Sequence, residues 1–540
     1  MSSPYAVDFK GRRFLEIFPG TLTWIILLAP FILSIFLPHF VAYFVIFFDF
    51  YWLLKSFNMG GHLISGYLHM RRDARIDWMS RVRRVRNFDK YFEETKKKYE
   101  EVLVPFSKRK LKWELEELRE LEAHKGEIID YREIYHALIF PVYKEPRSVL
   151  NATIKSLIDS TYPNKKIIVV LAMEERAGPE QVVMAEKVKR DYKEVFKKIL
   201  ITIHPDGIEG EIKGKGSNLN YAAREFKKYV DKNNIPYDRI IVTAGDCDTR
   251  VSVQYLACLT YKYIINPDRI HRTYQPIPLY SNNIWQVPAI NRIVAFGASF
   301  WQMIEATRPY RMVNFSTQAM SFQTLVDIDF WDKTIVSEDS KQYYRALFRY
   351  GGNHKCVPLF TPIYMDAVQS DTFWQTLKNQ YLQKRRWAWG VEHFPYLIRE
   401  CFIHKEVPFT QRLLLIYRII NGHISWSTAS LLIALTGWVP FLLNQRFETT
   451  VLALNMPTLG RNMLTLTWVG LVISAIVATL LLPKRPKNFG PSKTIIFVIS
   501  WVLVPIAAIG FGSIPAIDAQ THLMLGKYLG FWVTPKDAKK

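Results

Sequence analysis

Residues 22–48 contain no Asp, Glu, Lys or Arg, and apolar side chains continue to Leu54. A helix needs ~20 apolar residues to cross the hydrocarbon core of a bilayer. The stretch therefore predicts two short spans with a hinge at Pro38 and His39. It is too long for a cleaved signal peptide, and no small-residue cleavage pattern follows it. Residues 419–445, 462–483 and 494–517 are likewise free of charged side chains and predict three further spans. Three spans would leave the C terminus opposite a domain placed before them, unless Pro505, Gly510 and Gly512 turn the last into a re-entrant hairpin. Residues 411–422, just before, read as amphipathic.

Between the two apolar regions the pattern changes twice. Residues 88–127 are charged and helix-prone, with Leu111, Trp113, Leu115, Leu118 and Leu121 near helical spacing. They predict an amphipathic helix or a helical pair interrupted at Pro105. From Tyr135 to Pro408 short apolar runs alternate with helical patterns. Ala137 to Phe140, Ile167 to Leu171 and Ile240 to Thr243 suit buried strands, which predicts βαβ units and a mostly parallel sheet.

The chain divides accordingly: 1–57, a membrane hairpin; 58–134, a basic juxtamembrane linker; 135–408, an α/β domain; 409–517, an interfacial helix and three or more spans; 518–540, a tail. The formal net charge of +22 calls for an anionic partner. Its placement selects lipid: Lys10, Arg12 and Arg13 precede the first span, and Arg71, Arg72, Arg75, Arg81, Arg83, Arg84 and Arg86 follow the second. By the positive-inside rule both flanks, the α/β domain and the loop bearing Lys484, Arg485, Lys487 and Lys493 face the cytoplasm. No nucleic-acid-binding module is recognisable, and no nucleic-acid partner is expected. Cys247, Cys258, Cys356 and Cys401 lack zinc spacing and read as reduced thiols.

The candidate chemistry sits at the ends of the predicted strands. Asp246 and Asp248, one residue apart past the third strand, can hold a hard cation, Mg²⁺ or Mn²⁺, beside a diphosphate. Tyr143, Lys144, Glu145 and Pro146 follow the first strand; Glu174 and Glu175 follow the second. Lys213-Gly-Lys-Gly-Ser-Asn218 enters a helix, with glycines that admit a close ligand and Lys215 as a point charge. Glu338 and Asp339 open a later helix. Gln383, Arg386 and Trp387 belong to a basic aromatic helix ahead of the membrane region. Taken singly, each of these also reads as an ordinary turn, helix cap or interfacial belt.

In order, these elements resemble glycosyltransferase family 2, in the membrane-integrated branch that holds cellulose, hyaluronan and chitin synthases. The resemblance spans residues 140–387, and Phe531-Trp-Val-Thr-Pro-Lys536 looks like the gating segment of that branch. It implies a GT-A-type, Rossmann-like α/β domain with a mostly parallel sheet, inserted between N- and C-terminal transmembrane helices. It implies that Tyr143 and Glu145 border the nucleotide and that Glu174 stands where the family has a base-contacting Asp. Lys215 would face the diphosphate, Asp246 the ribose or metal, Asp248 the metal. Asp339, beside Glu338, would be the general base; Gln383, Arg386 and Trp387 would hold the diphosphate and acceptor. Aromatic residues between Phe296 and Trp331 coincide with the family's acceptor-lining segment, where Ser316 and Thr317 correspond, though core packing accounts for most of them.

The expected protein is a multi-pass membrane enzyme. It transfers a sugar, with inversion, from a nucleotide sugar, a UDP-sugar first, to a growing polysaccharide that its own helices export. The alternative is single transfer to a lipid acceptor.

Overall fold

The computed structural model describes residues 8–487, 490 and 492–532. Val533 to Lys536 of the C-terminal motif and the side chain of Lys493 lie outside the described residues. Two helices open the chain, α1 (Arg12–Phe36) and α2 (Pro38–Asp73), separated only by Leu37. Pro38 starts the second helix because its missing N–H costs nothing at a first turn. The hinge falls where the sequence placed it. With 36 residues, α2 is ~54 Å long, against ~30 Å of hydrocarbon, so its charged end stands clear of any bilayer it crosses.

Three helices follow: α3 (Trp78–Val85), α4 (Phe88–Glu101) and α5 (Pro105–Glu122). The helical pair broken at Pro105 is present. Leu115 and Leu118 are buried, whereas Trp113 of the same predicted stripe is exposed. Arg81 Nη1 reaches Glu117 Oε2 at 2.8 Å, and Tyr91 OH donates to Glu114.

The next domain is an eight-stranded sheet: β1 (Tyr135–Val142), β2 (Ile167–Glu174), β3 (Lys198–His204), β4 (Ile240–Ala244), β5 (Arg250–Val251), β6 (Arg272–Leu279), β7 (Gln318–Ser321) and β8 (Lys355–Tyr364). Its order is β3-β2-β1-β4-β7-β6-β8-β5. The predicted parallel sheet is half right. β3, β2, β1 and β4 run parallel, but β7 is antiparallel to both neighbours and β5 to β8, so the whole sheet is mixed.

Helices cover both faces: α6 (Arg147–Ile158), α7 (Pro179–Tyr192), α8 (Lys215–Lys232), α9 (Tyr255–Ile264), α10 (Ala289–Ala306), α11 (Phe322–Asp327), α12 (Glu338–Arg349), α13 (Phe373–Ala388) and α14 (His393–Ile403). Ala137 and Ile139 of β1 pack with Leu219 and Phe226 of α8. Their neighbours Leu138 and Phe140 belong to the opposite core, with Leu150 and Ile154 of α6. Burial on two faces is why these strands are continuous apolar runs instead of alternating ones.

Beyond the domain, α15 (Phe409–Leu435) ends well before residue 445. Four helices among the described residues are long and apolar enough to cross a membrane: Arg12–Phe36, Pro38–Asp73, Val451–Leu481 and Ile495–Met524. That is one fewer than predicted: α15, which covers the start of the predicted run 419–445, is not among them, because Asn421, His423, Ser425, Ser427 and Thr428 dilute its apolar residues. The last run stays helical through Pro505, Gly510 and Gly512, passing through a 3₁₀ turn at Ser500–Leu503 and a π turn at Ile509–Ser513. The re-entrant hairpin is not formed: Pro505, Gly510 and Gly512 are taken up in the helical run with those local changes of winding. Arg13, at the start of α1, donates to Leu523 O (2.8 Å) and to Met524 O at the end of this run. The first and last long helices therefore meet end to start.

Candidate active site

Strand order decides where a site can form. From β1 the chain goes to β2 and β3 on one side, then crosses to β4 on the other. Such a switch leaves a crevice beyond the carboxyl ends of β1 and β4. A cleft of about 220 Å³ lies there. Tyr143, Glu145, Glu174, Lys215, Asp246, Asp248, Glu338, Asp339, Gln383, Arg386 and Trp387 all line it. Residues as far apart in sequence as Tyr143 and Trp387 thus share one cavity.

Lys215 is at its centre. It opens α8 and is only 9% exposed. Its Nζ lies 3.1 Å from Asp246 Oδ1, 3.3 Å from Glu338 Oε1 and 3.2 Å from Asp339 Oδ2. Burial alone would lower its pKa; the three carboxylates outweigh burial and hold it well above the ordinary lysine value. Gly216 lets α8 come this close: a Cβ there would stand 2.7 Å from Asp332 O.

Burial, and then the adjacent Asp339 carboxylate, push Glu338 up to about 7 against the pull of Lys215. A carboxyl held above its ordinary value binds its proton more tightly in the fold than unfolded. Its stabilising contribution is therefore full below about pH 4.5 and falls away as pH rises to about 7. Glu338→Gln should remove this dependence: relative to wild type, its unfolding free energy should improve by ~2 kcal/mol from pH ~5 to pH ~7.5, read by thermal melts in detergent.

The two aspartates past β4 differ in setting. Asp248 is 2% exposed, and its Oδ2 accepts from Asp366 N at 3.1 Å. Asn282 Nδ2 bridges Asp248 O (3.3 Å) and Asp366 Oδ1 (2.8 Å). Asp246 is more open and pairs with Lys215. Among the described residues no group of three or more His, Cys, Asp or Glu could hold a metal ion, so there is no all-protein cage. Seven acidic side chains, Glu145, Glu174, Asp246, Asp248, Glu338, Asp339 and Asp366, nevertheless face two basic ones, Lys215 and Arg386. That excess and its hard oxygen donors fit a divalent cation whose remaining ligands come from a diphosphate.

The opposite wall is basic and aromatic. Arg386 has its Nε buried with no hydrogen-bond partner, and its guanidinium lies 4.9 Å from the Phe531 ring. An orphaned buried donor of this kind suits an anion. Trp387 meets Phe315 edge-on at 5.6 Å between ring centres and Tyr280 at 6.1 Å. Phe531 also seals against Gly214, where any Cβ would come 2.5 Å from its Cγ. Beside β2, Arg176 pairs with Glu174 and stacks 4.7 Å from the Tyr143 ring.

Several lining or supporting residues escaped the sequence reading. Gln318 Nε2 donates to Asp339 Oδ1 at 3.2 Å, and Asp366 sits at the end of β8. Glu392 accepts through Oε1 from Val336 N (3.2 Å) and Ser337 N (3.1 Å), and through Oε2 from Trp389 Nε1 (2.8 Å). It thereby fastens the start of α12, with Glu338 and Asp339, to the segment after Trp387. Asp366 follows β8, a strand whose two prolines hide it from sequence reading; Gln318 and Glu392 likewise had no signal. Glu392→Ala should leave those three donors without an acceptor, cost ~1–3 kcal/mol in stability and lower kcat about tenfold or more with donor KM nearly unchanged. Steady-state kinetics beside a thermal melt measure both.

No protein-family model matches the chain, and no curated protein matches it in sequence. Among solved structures, the mannosyltransferase PcManGT from Pyrobaculum calidifontis, in complex with GDP-Man and Mn²⁺, aligns at TM-score 0.40 and 15% identity, over 63% of this chain and 86% of its own. S. aureus TarS 1-349 with UDP-GlcNAc aligns at 0.34 and 13%, over 65% and 93%. GalNAc-T7 with UDP, GalNAc and Mn²⁺ aligns at 0.29 and 10%, over 56% and 58%. Likeness at these scores carries no weight for function, which has to come from the cleft's own residues.

Proposed function

We propose that this chain is a membrane-embedded, metal-dependent glycosyltransferase of the GT-A type, resembling the synthase branch of family 2. It would move a sugar, with inversion, from a nucleotide-sugar donor, a UDP-sugar first, to a hydroxyl of a growing polysaccharide. One observation carries the reading: the residues expected to bind the donor, hold the metal and act as base, Tyr143, Glu145, Glu174, Lys215, Asp246, Asp248, Glu338, Asp339, Gln383, Arg386 and Trp387, line the same cleft at the strand-switch point.

The chemistry follows from the placement. Tyr143 and Glu174 would flank the nucleoside. Arg386, with its orphaned Nε, and Lys215 would hold the diphosphate and receive the negative charge that develops as the sugar–phosphate bond breaks. Asp246 and Asp248 would hold Mg²⁺ or Mn²⁺, which supplies charge stabilisation to the leaving diphosphate. Asp339 would accept the proton of the acceptor hydroxyl as its oxygen bonds the anomeric carbon; the bond to phosphate leaves with its electron pair. One base suffices for displacement with inversion, and no second carboxylate nucleophile is needed. Trp387, walled by Phe315 and Tyr280, offers the acceptor ring a flat apolar face.

The meeting of α1's start with the last helix's end supports an even number of crossings, with the cleft on the basic, cytoplasmic side. Four candidate spans, fewer than expected, favour a second reading: a single sugar placed on a lipid acceptor. Purified protein incubated with radiolabelled nucleotide sugars, with Mn²⁺ or with chelator, tests the activity. Product size separates polymer from single addition. Absence of transfer from every donor in the presence of cation and membrane lipid would overturn the proposal.

A further inference from the structure

The α4–α5 hairpin takes no part in the cleft, yet its turn is chemically unusual. Leu103 is 89% exposed and Val104 61%. Lys96, Lys97 and Lys98 lie in the last turns of α4 on one side of them, before Tyr99, Glu100 and Glu101, with Lys97 Nζ 3.8 Å from Glu101 Oε1. Lys108, Arg109, Lys110 and Lys112 open α5 on the other. Between residues 96 and 113 the only acidic side chains are Glu100 and Glu101. Two bare apolar side chains with seven cations and two carboxylates in the flanking turns are poorly matched to water and well matched to the boundary of an anionic bilayer.

The direction of the hairpin supports that match. Glu117 of α5 accepts from Lys262 near the end of α9 at 2.7 Å. Further along, Arg269 reaches Glu127 O (2.6 Å) and Ile129 N reaches Ile264 O (3.4 Å). These contacts lie at the edge where β1 and β6 begin, opposite the cleft. α5 therefore runs away from the cleft edge, and its N-terminal turn points back toward it. Trp113 stands 5.7 Å from the Arg72 guanidinium at the end of α2. From Trp113 to Pro105 is ~12 Å along the helix axis. Arg72 lies ~27 Å along α2 from Leu54, where the apolar stretch stops, so a turn ~12 Å beyond Trp113 stands no nearer than ~15 Å to that level. Headgroups and the negative potential of an anionic leaflet fill an interval of that size.

We infer that the turn between α4 and α5 docks on an anionic lipid surface, with Leu103 and Val104 entering the headgroup layer and the flanking lysines pairing with lipid phosphates. The hairpin becomes a second foothold on the membrane, apart from the spans, that braces the sheet domain against the leaflet it faces.

The test uses the full-length protein in nanodiscs. All four native cysteines are buried, so a polarity-sensitive fluorophore can be placed selectively through Leu103→Cys and, in a second variant, Val104→Cys. In discs of phosphatidylcholine mixed with phosphatidylglycerol, both labels should shift to the blue and be quenched by nitroxide-bearing lipid. In pure phosphatidylcholine discs the shift and quenching should largely vanish. Replacing Lys96, Lys97 and Lys98 with Gln should weaken docking by about fivefold per lysine. Water-like emission from both labels in both kinds of disc would overturn the inference. Equal quenching with and without phosphatidylglycerol would overturn its electrostatic half and leave plain apolar insertion. Neither readout depends on whether the cleft transfers sugar.

Discussion

Asp339→Asn is expected to lower glycosyl transfer by about 10²–10⁴-fold, the usual worth of a positioned general base, with donor affinity held within a few-fold. The asparagine keeps the shape and can still meet Gln318 and Lys215, but it cannot take the acceptor proton. Its Glu338 neighbour should also titrate lower, because the like charge that helps raise it is gone. Nucleotide binding by calorimetry and transfer by labelled-product assay separate the two effects. Transfer near the wild-type rate in the asparagine variant would remove Asp339 from the reaction and leave Glu338 as the remaining candidate on α12.

Lys215→Met should act on the whole site. The lysine is the shared counter-ion of Asp246, Glu338 and Asp339. Breaking a buried pair by removing one partner costs ~3–5 kcal/mol, because the opposite charge stays behind without compensation. Here three carboxylates stay behind. The variant should melt at lower temperature, lose transfer altogether and gain more thermal stability from Mn²⁺ than wild type does, since the cluster left is more anionic. Melting curves with graded Mn²⁺ measure this. An unchanged melting temperature would mean that the lysine is not the electrostatic keystone its distances imply.

Much of this was legible in the chain because it was carried by local pattern. β1, β2 and β4 are continuous apolar runs, and the loops after them hold acidic residues at strand-end spacing, so both the strands and their ends could be read. The other half of the sheet was hidden for a physical reason. β6 contains Pro276 and Pro278, and β8 contains Pro358 and Pro362, residues that remove ladder donors and argue against interior strands. The fold accommodates them with a register irregularity between Pro276 and Pro278. The mixed topology followed from strands that sequence reasoning passes over as loop. In the site, the seven carboxylates were visible except Asp366. The groups that orient them, Gln318 and Glu392, become significant only through distances between segments far apart in sequence.

The membrane regions show the same division. Absence of charge located α1, α2 and the two long C-terminal helices, and it also picked out α15, which is less apolar than those four. Its polar residues face other elements: Thr428 and Ser427 are buried, and Ser427 Oγ lies 3.0 Å from Thr23 Oγ1 of α1.

The grip of Arg13 on the carbonyl oxygens of Leu523 and Met524, only a few residues before Phe531 enters the cleft, also bears on the order of folding. It joins segments some 510 positions apart, a contact of high sequence separation whose loop-closure entropy must be met before it stabilises anything. The Phe531 wall lies only a few residues past that closure, so a sheet that has already folded still holds an unfinished pocket until the two ends meet.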